Sequence, residues 1–433
     1  MVLILSIVCA NSVANAQQHT SIQQLIDQAE AGDTIHIPAG YYTGAMIIDK
    51  PLQIIFSKGS VLTHEGSESA VKITSDHVKL SGLKIVDREL KDAATVFVTG
   101  DSVHLEALHI QTGSYGIRLE KTQNGLLDEN RIEWLPDTEH PVSLSDKKNG
   151  IDLYGAYNNR ITNNHIRGVL DGIYLERSKK NVVSQNVVER ARYGIHAMYT
   201  EQTIIQKNTS RLNFTGIIVM VTRGLTITEN RVVMQNENVN SQGFLLYETN
   251  GATVQRNWIE GNRVGMNIQQ SLDNQVMHNT FVNNYVGLQL MDAENNLITE
   301  NSFIGNITGA RSVTSVDNSL SGNYWDAFKG VDSDGDGKSN LPYAMNPLSL
   351  ALFQSQPAFQ LFYQSPGLEL LERLYQADSR TWSMDKEPLM APPDNVFSGD
   401  SSHVLVKDRV NLIAFLLLSF GCSIFYFGRR KLL

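Results

Sequence analysis

Apolar residues recur through the middle of the chain with a spacing of 22 residues. Aligned on a glycine, nine segments place an asparagine fourteen residues later, as in GIYLERSKKNVVSQN from 172 and GIHAMYTEQTIIQKN from 194. Successive starts differ by 22 residues, except that twelve extra residues follow the segment at 116 and five follow the segment at 216. Helical-hairpin repeats need about 33 residues or more, whereas this period is typical of one coil of a parallel β-solenoid. The pattern therefore predicts an all-β, right-handed parallel β-helix.

Alternation within each segment predicts which side chains point inward. Counted from the glycine, offsets 1, 3, 11 and 16 are mostly Ile, Leu or Val, while offsets 2, 4 and 12 are polar or mixed. Because successive strand residues face opposite ways, the first set points into the coil and the second points out. The asparagines at offset 14 should stack as an internal ladder of amide hydrogen bonds: Asn130, Asn164, Asn186, Asn208, Asn230, Asn257, Asn279, Asn301 and Asn323.

The two ends of the chain carry different signals. A capping box of Ser21 and Gln24 predicts a helix that covers the open N-terminal end of a solenoid domain over 17–330. The short apolar run before it ends in Ala14-Asn15-Ala16 and predicts a signal peptide over 1–16. Residues 409–433 combine an uncharged apolar stretch with a following basic cluster, which predicts a transmembrane anchor whose C-terminus is cytoplasmic. We therefore expect a periplasmic domain held at the inner membrane.

Between the coils and the predicted anchor, residues 331–408 have a different character. An acidic DxDxDG turn opens this region, and helix signals follow at Asn346-Pro347 and Ser365-Pro366, where a cap residue precedes a proline. We expect these helices to close the C-terminal end of the coil; binding of a membrane partner is the alternative.

Composition limits the possible functions. The net charge is −9 and no basic stripe is present, which argues against a nucleic-acid surface. The two cysteines are Cys9 in the predicted leader and Cys422 in the predicted anchor, so the exported domain has neither disulfides nor thiolate metal ligands.

Two outward columns contain soft metal ligands. His196 is at offset 2, Met198 and Met220 are at offset 4 of adjacent coils, and Met291 is a more distant member of the same column. Stacked strands lie about 4.8 Å apart, so the first three residues should form a triangle on one exposed face. Imidazole and thioether groups together suit Cu(I). The alternative is a small apolar patch that contacts a partner protein or a loop.

The sequence DSDGDGKSN from Asp332 matches the first half of a calcium loop. Asp332, Asp334 and Asp336 occupy the first three ligand positions, and Asn340 could serve at the ninth. Position 12 is Tyr343 rather than glutamate, so any calcium affinity should be modest. A plain acidic turn is the alternative.

A polysaccharide-active enzyme is a third class of function for a β-solenoid. Lyases and hydrolases need paired carboxylates or a base beside a cation, and Arg118, Asp152 and Glu176 lie on the same outward face. The same face also contains the methionines, and no compact acidic cluster recurs. We therefore expect a protein that is not an enzyme.

The combination of these features resembles the NosD family, which acts in the maturation of nitrous oxide reductase. Beyond the coils, the resemblance lies in SGNYWDAFKGVDSDGDGKSNLPY from 321, FYQSPGLELLERLYQ from 362 and KEPLMAPP from 386. It covers nearly the whole chain, and residues 322–393 are the specific part. The predicted anchor is a departure, because it is not a feature of every member.

The resemblance implies a periplasmic, non-catalytic subunit that works with the ATPase and permease of an ABC transporter. It also implies that copper passes from a lipoprotein chaperone to the apo form of nitrous oxide reductase with the help of this subunit. It assigns no metal ligand position by position. A docking platform that binds these partners without binding copper therefore remains an open alternative.

Overall fold

The chain winds as a right-handed parallel β-solenoid of about 13 coils, which confirms the predicted fold class. The structure is a computed structural model that describes residues 21–135, 142–344 and 384–393, together with Gly367, Leu370 and Leu371. The predicted leader, the predicted anchor and nearly all of the predicted helical extension lie outside these residues. No helix in the described part of the chain is long and apolar enough to cross a membrane.

Three sheets form the sides of the solenoid, and each coil contributes one strand to each sheet. Sheet A consists of Thr34–Ile37, Gln53–Phe56, Lys79–Ser81, His104–Glu106, Leu126–Asp128, Arg160–Thr162, Val182–Ser184, Ile204–Gln206, Thr226–Thr228, Thr253–Gln255, Gln275–Met277, Leu297–Thr299, Ser319–Ser321, Met384–Asp385 and Tyr343–Ala344. Sheet B consists of Tyr41–Thr43, Val61–His64, Lys84–Asp87, His109–Thr112, Arg131–Trp134, His165–Arg167, Val187–Glu189, Thr209–Arg211, Arg231–Val233, Trp258–Glu260, Thr280–Val282, Ser302–Ile304 and Tyr324–Trp325. Sheet C consists of Met46–Ile48, Val71–Ile73, Val96–Val98, Ile117–Glu120, Ile151–Tyr154, Asp171–Glu176, Tyr193–Met198, Thr215–Met220, Gln242–Tyr247, Val264–Gln269, Val286–Met291 and Thr308–Val313.

Helical structure is confined to short segments in the described residues. The helix Ile22–Gln28 begins at Ser21, whose backbone N–H donates to Oε1 of Gln24 at 3.2 Å. Ile22 and Ile26 are buried against the first coil, which confirms the predicted capping helix. A 3₁₀ turn, Leu144–Asp146, lies within the twelve-residue insertion before Gly150.

The core is a set of stacked apolar columns inside the coils. Ile173, Ile195 and Ile217 are paired in register on adjacent strands of sheet C, and all three are buried. The inward positions of each strand are apolar. A shift of one residue in strand register would turn all of these side chains toward solvent, so this pattern fixes the register.

The repeated glycine lies where two coils approach closely. A Cβ atom on Gly194 would lie 2.4 Å from the carbonyl oxygen of Gly216 and 2.3 Å from the hydroxyl of Ser210. Any larger residue would push adjacent coils apart, which explains why glycine marks the start of each repeat.

The offset-14 asparagines form a continuous ladder at the corner between sheets A and B. At Asn208 the backbone N–H and the Nδ2 group both donate to Oδ1 of Asn230 at 3.0 Å. The Nδ2 group also donates to the carbonyl of Val183, one coil back, at 2.9 Å. Oδ1 of Asn208 accepts from the backbone N–H of Asn186, which also lies one coil back. Each buried amide therefore satisfies backbone groups of the preceding coil and bonds to the asparagine side chain of the next coil.

Two further amide ladders, which the sequence analysis did not identify, support the other corners. Members at offset 9 lie between sheets C and A, and members at offset 19 lie between sheets B and C. The first ladder includes Asn159, Asn181, Asn274, Asn296 and Asn318. The second includes Asn213, Gln235, Asn262, Asn284 and Asn306. Side-chain amides thus also hold these corners in the coils that have Asn or Gln at offset 9 or 19.

The C-terminal end of the solenoid is closed by a distant segment. The carboxylate of Asp385 accepts hydrogen bonds from the backbone N–H and Nδ2 of Asn323, the last ladder asparagine, and from Nε1 of Trp325. The strand Tyr343–Ala344 pairs with Met384–Asp385, and the ring of Tyr343 stacks on Trp325 at 4.4 Å between centroids. The coil therefore continues past the boundary predicted at 330.

We predict that Asp385→Ala destabilises this end of the solenoid. Asp385 is fully buried and accepts five N–H groups, from Gly322, Asn323 twice, Trp325 and Glu387. Leaving such donors unsatisfied costs on the order of 3 kcal/mol. Urea unfolding should show this loss, and amide exchange should become faster in the last coils first, since solenoid repeats are stabilised mainly by their neighbours.

Glu387→Gln provides a control within the same segment. Its side chain is half exposed and pairs with Lys338 at the surface, so the change should affect stability much less than Asp385→Ala. Equal losses in the two variants would contradict a special role for Asp385.

Candidate functional site

His196, Met198 and Met220 lie on the outer face of sheet C. His196 and Met198 are two residues apart on the strand Tyr193–Met198 and therefore point to the same side of it. Met198 is the register partner of Met220 on the next coil. Met291 lies in the same column, three coils beyond Met220. The repeat register thus places a histidine beside two methionines on neighbouring coils.

One part of the prediction was wrong, because His196 is not exposed. Only 6% of its surface is accessible, whereas Met198 and Met220 are half-buried. The imidazole lies between two aromatic rings, with its centroid 4.8 Å from that of Tyr174 and 5.1 Å from that of Tyr193. Outward-pointing side chains on this face cover one another, so strand alternation alone overestimates their exposure.

A buried carboxylate orients the imidazole. Asp171 accepts a hydrogen bond from Nδ1 of His196 at 2.9 Å and a two-pronged pair from Arg192 at 2.9 and 2.8 Å. Burial is the largest single influence and acts to lower the pKa of Arg192, but the hydrogen bonds and the negative charge of Asp171 together raise that pKa. An ionised carboxylate only accepts hydrogen bonds, so it fixes the proton of a neutral imidazole on Nδ1.

The second ring nitrogen of His196 has no hydrogen-bond partner among the residues that the structure describes. Nε2 is buried and unpaired, which is rare for a polar atom in a folded interior. With the proton on Nδ1, Nε2 carries a lone pair and can act as a metal ligand. The pair of Asp171 and His196 is therefore the arrangement that orients histidine ligands in many metal sites.

Tyr174 connects the histidine to the methionine column. Its hydroxyl lies 3.1 Å from Oε2 of Glu176 and 4.0 Å from Sδ of Met198. Burial, reinforced by the Glu176 carboxylate, raises the pKa of Tyr174, which keeps the phenol protonated at neutral pH. Glu176 takes the stronger hydrogen bond, so the thioether of Met198 keeps lone-pair density for a soft metal.

Met291 has different surroundings. Its sulfur is contacted by Nε2 of Gln289, whose oxygen accepts hydrogen bonds from Arg311. No histidine lies beside it on the same strand, because offset 2 of that coil is Gln289. The structure therefore separates Met291 from the group around His196.

Arg118, Asp152 and Glu176, the residues considered for glycan chemistry, each contact another polar side chain. Asp152 is buried, accepts a hydrogen bond from Nδ2 of Asn149 at 2.7 Å, and lies 3.9 Å from Nε of Arg118. Burial raises the pKa of Asp152, while Asn149 and Arg118 act to lower it. Glu176 is the register neighbour of Tyr154 and hydrogen-bonds to Tyr174.

The acidic turn brings its three aspartates together. Carboxylate oxygens of Asp332, Asp334 and Asp336 lie within 4.8 Å of one another. Hydrogen bonds from the N–H groups of Gly337 and Gly335 lower the pKa of Asp332. Asn340 instead accepts hydrogen bonds from Ser333, and the ring of Tyr343 stacks on Trp325. A calcium ion would thus be held mainly by the three carboxylates.

Sequence reasoning missed Asp171, Arg192 and the flanking tyrosines. Asp171 and Tyr193 each precede the repeat glycine as the first residues of their strands, outside the segments that were aligned on that glycine. A repeat alignment extended one residue before the glycine would have shown Asp171 one coil below Tyr193, next to the histidine column.

Comparison with known proteins agrees with the family resemblance. Residues 136–330 match the family model of NosD, described as a periplasmic copper-binding protein. The chain is 27% identical over 403 residues to the "Probable ABC transporter binding protein NosD" of Stutzerimonas stutzeri, covering 86% of this chain and 90% of that protein. It is 29% identical over 384 residues to the protein of the same name from Pseudomonas aeruginosa, covering 82% of this chain and 88% of that protein.

Among solved structures, similar chains include two alginate-modifying enzymes. The A-module of the Azotobacter vinelandii mannuronan C-5 epimerase AlgE6 covers 70% of this chain and 88% of its own, with 15% identity and a TM-score of 0.49. The periplasmic alginate epimerase AlgG covers 69% of this chain and 81% of its own, with 14% identity and a TM-score of 0.48. Likeness of this degree says nothing about the activity of the present chain.

We predict that Asp152→Asn changes how stability depends on pH. A carboxyl whose pKa is raised in the folded state keeps its proton longer than in the unfolded chain. Its contribution to stability is therefore lost as the pH rises from about 4 through the folded pKa. The variant should gain stability relative to the wild type over that window, measured by urea unfolding at several pH values. A constant difference at all pH values would contradict this prediction.

We also predict that the acidic turn binds calcium weakly and that Asp332→Asn removes the binding. Three carboxylates without a bidentate glutamate should give a dissociation constant of about 0.1 mM or weaker. Terbium luminescence followed by displacement with calcium would measure it. Glu387→Gln is the control, because its carboxylate lies outside the cluster. Retained luminescence in Asp332→Asn would rule out this site.

Proposed function

We propose that this chain is a NosD-type protein, a periplasmic, non-catalytic accessory protein that binds copper for the maturation of nitrous oxide reductase. The family is described as periplasmic and copper-binding, and the curated relatives are named as ABC transporter binding proteins. On this proposal the chain works beside the ATPase and permease of an ABC transporter. It receives copper from a lipoprotein chaperone and presents it to the apo-reductase, while residues 409–433 hold it at the inner membrane.

The observation that supports copper binding most directly is the environment of His196. One ring nitrogen is paired with the buried Asp171, and the other is buried with no partner in the described part of the chain. An unsatisfied buried nitrogen costs free energy, which a bound metal would recover. A histidine that only filled space on this face would not need a buried carboxylate and an arginine to orient it.

The chemistry of the neighbours favours Cu(I) over harder ions. Met198 and Met220 supply thioethers on adjacent strands, and thioether sulfur prefers soft ions such as Cu(I) to Ca²⁺ or Mg²⁺. Both methionines are half-buried, so they are accessible to an incoming donor. A site of one histidine and two methionines carries no negative charge of its own, which suits transfer rather than permanent storage of the metal.

A docking platform without copper is the second candidate. Ile218 and Leu245 continue the column of His196 on the next two coils, and the half-buried Leu245 adds apolar surface next to the methionine column, as expected for a protein contact. Under that function the protein still binds the chaperone and the reductase but retains no copper. The copper titration below separates the two candidates.

We expect the purified chain to bind Cu(I) in competition with a chromophoric chelator, and the Met198→Leu/Met220→Leu variant to weaken that binding at least about tenfold. Leucine keeps nearly the same volume and removes only the sulfur, so the fold should persist. The His196→Ala/Met198→Ala variant should lose the binding event altogether. Circular dichroism and urea unfolding would verify that each variant is folded.

Met277→Leu/His278→Ala is the matched control. This pair has the same side-chain chemistry but lies at the end of a strand in sheet A, and His278 pairs with Glu300. The control should bind copper as the wild type does. Wild-type stoichiometry and affinity in the Met198→Leu/Met220→Leu variant would exclude this site, and a wild-type chain that binds no copper would leave the docking platform as the function.

A further inference from the structure

A second group of charged and polar side chains lies at the far end of the same face. Arg311 is on the strand Thr308–Val313, five coils beyond the strand of His196. At about 4.8 Å per coil the two positions are roughly 24 Å apart. This second group therefore lies outside the site proposed for copper.

Arg311 is half-buried without a carboxylate partner. Its Nε donates to Oε1 of Gln289 at 2.6 Å, and its terminal nitrogen donates to the same oxygen. No ion pair involves Arg311 anywhere in the described residues, and burial lowers its pKa. By contrast, Arg192 on the same face has a buried aspartate. A neutral amide accepts hydrogen bonds from Arg311 but does not neutralise its charge.

Tyr285 adds an unpaired donor at the same place. Its hydroxyl is buried and has no hydrogen-bond partner in the described part of the chain. The guanidinium carbon of Arg263 lies 4.1 Å from the centroid of its ring. Burial raises the pKa of Tyr285, while the positive charges of Arg263 and Arg311 both act to lower it, so both cations lie near the phenol.

We propose that Arg311, Tyr285 and Arg263 form a binding site for an oxyanion of the carboxylate or phosphate type. An oxyanion supplies the negative charge that Arg311 lacks and an acceptor for the phenol hydroxyl. Guanidinium groups bind such ligands in a planar, two-pronged manner that a neutral ligand cannot match. The oxyanion has two possible sources, a free small anion or an acidic side chain of a partner protein. Both sources present the same charged oxygen atoms to the site.

The test uses the full chain and two probes. Isothermal titration would measure binding of inorganic phosphate and of a glutamate-rich peptide in chloride buffer of constant ionic strength. We expect binding by the wild type, a loss of at least about tenfold in Arg311→Gln, and a smaller loss in Tyr285→Phe, which removes one hydroxyl and preserves the ring. Binding of phosphate indicates a free anion, whereas binding of the peptide alone indicates a protein side chain.

Arg256→Gln is the control, because Arg256 is exposed on a turn and carries a charge of the same sign. It should bind both probes as the wild type does. The wild type should also gain thermal stability from the bound probe, as any ligand of the folded state provides, and Arg311→Gln should not. No binding by the wild type, or equal binding by the wild type, Arg311→Gln and Tyr285→Phe, would overturn the proposal.

Discussion

The structure depends above all on the hydrogen bonds that side-chain amides make between successive coils. Where a strand ends, its backbone groups lose their regular partners, and an unpaired buried N–H or C=O costs free energy. Asn208 meets this need by accepting from Asn186 and donating to the carbonyl of Val183, both one coil back, while its backbone N–H donates to Asn230 on the next coil. The preceding residue, Lys207, has the left-handed conformation with φ of 56°, which most side chains avoid. The ladder therefore stabilises a sharp corner that the local sequence alone would not favour, and it does so once per coil.

The outer face depends on this constraint. Because the ladders hold adjacent coils in one register, residues 22 apart in sequence become neighbours, and Met198 lies opposite Met220 without any contact between them being needed for folding. Residues in the outward columns can therefore serve binding with little effect on the packing of the core. The same register brings Asp171 beside His196 and Gln289 beside Arg311, so one face carries two groups with different charge and different chemistry.

The sequence predicted the coil, its register and the capping helix because each rests on periodicity that repeats many times. The position of His196 beside the methionine column was also predictable, since the strand register follows from the repeat. Burial of His196 was not predictable, because it depends on how Tyr174 and Tyr193 fold over it rather than on strand alternation. Asp385 was also missed, because one carboxylate contacting residues about 60 positions earlier leaves no periodic signal. That Arg311 has no carboxylate partner among the described residues was likewise not predictable, because it depends on which side chains surround it in the folded chain.

The closure by Asp385 bears on the order in which the molecule is completed. The first coil is covered by a helix adjacent in sequence, so that end can close as soon as it forms. The last coil has to wait for a segment that follows it by about 60 residues. Until that segment arrives, the final strands present an open edge whose hydrogen-bonding groups can recruit other chains. A solenoid of this design is thus most vulnerable to aggregation late in its synthesis, at the end where assembly finishes.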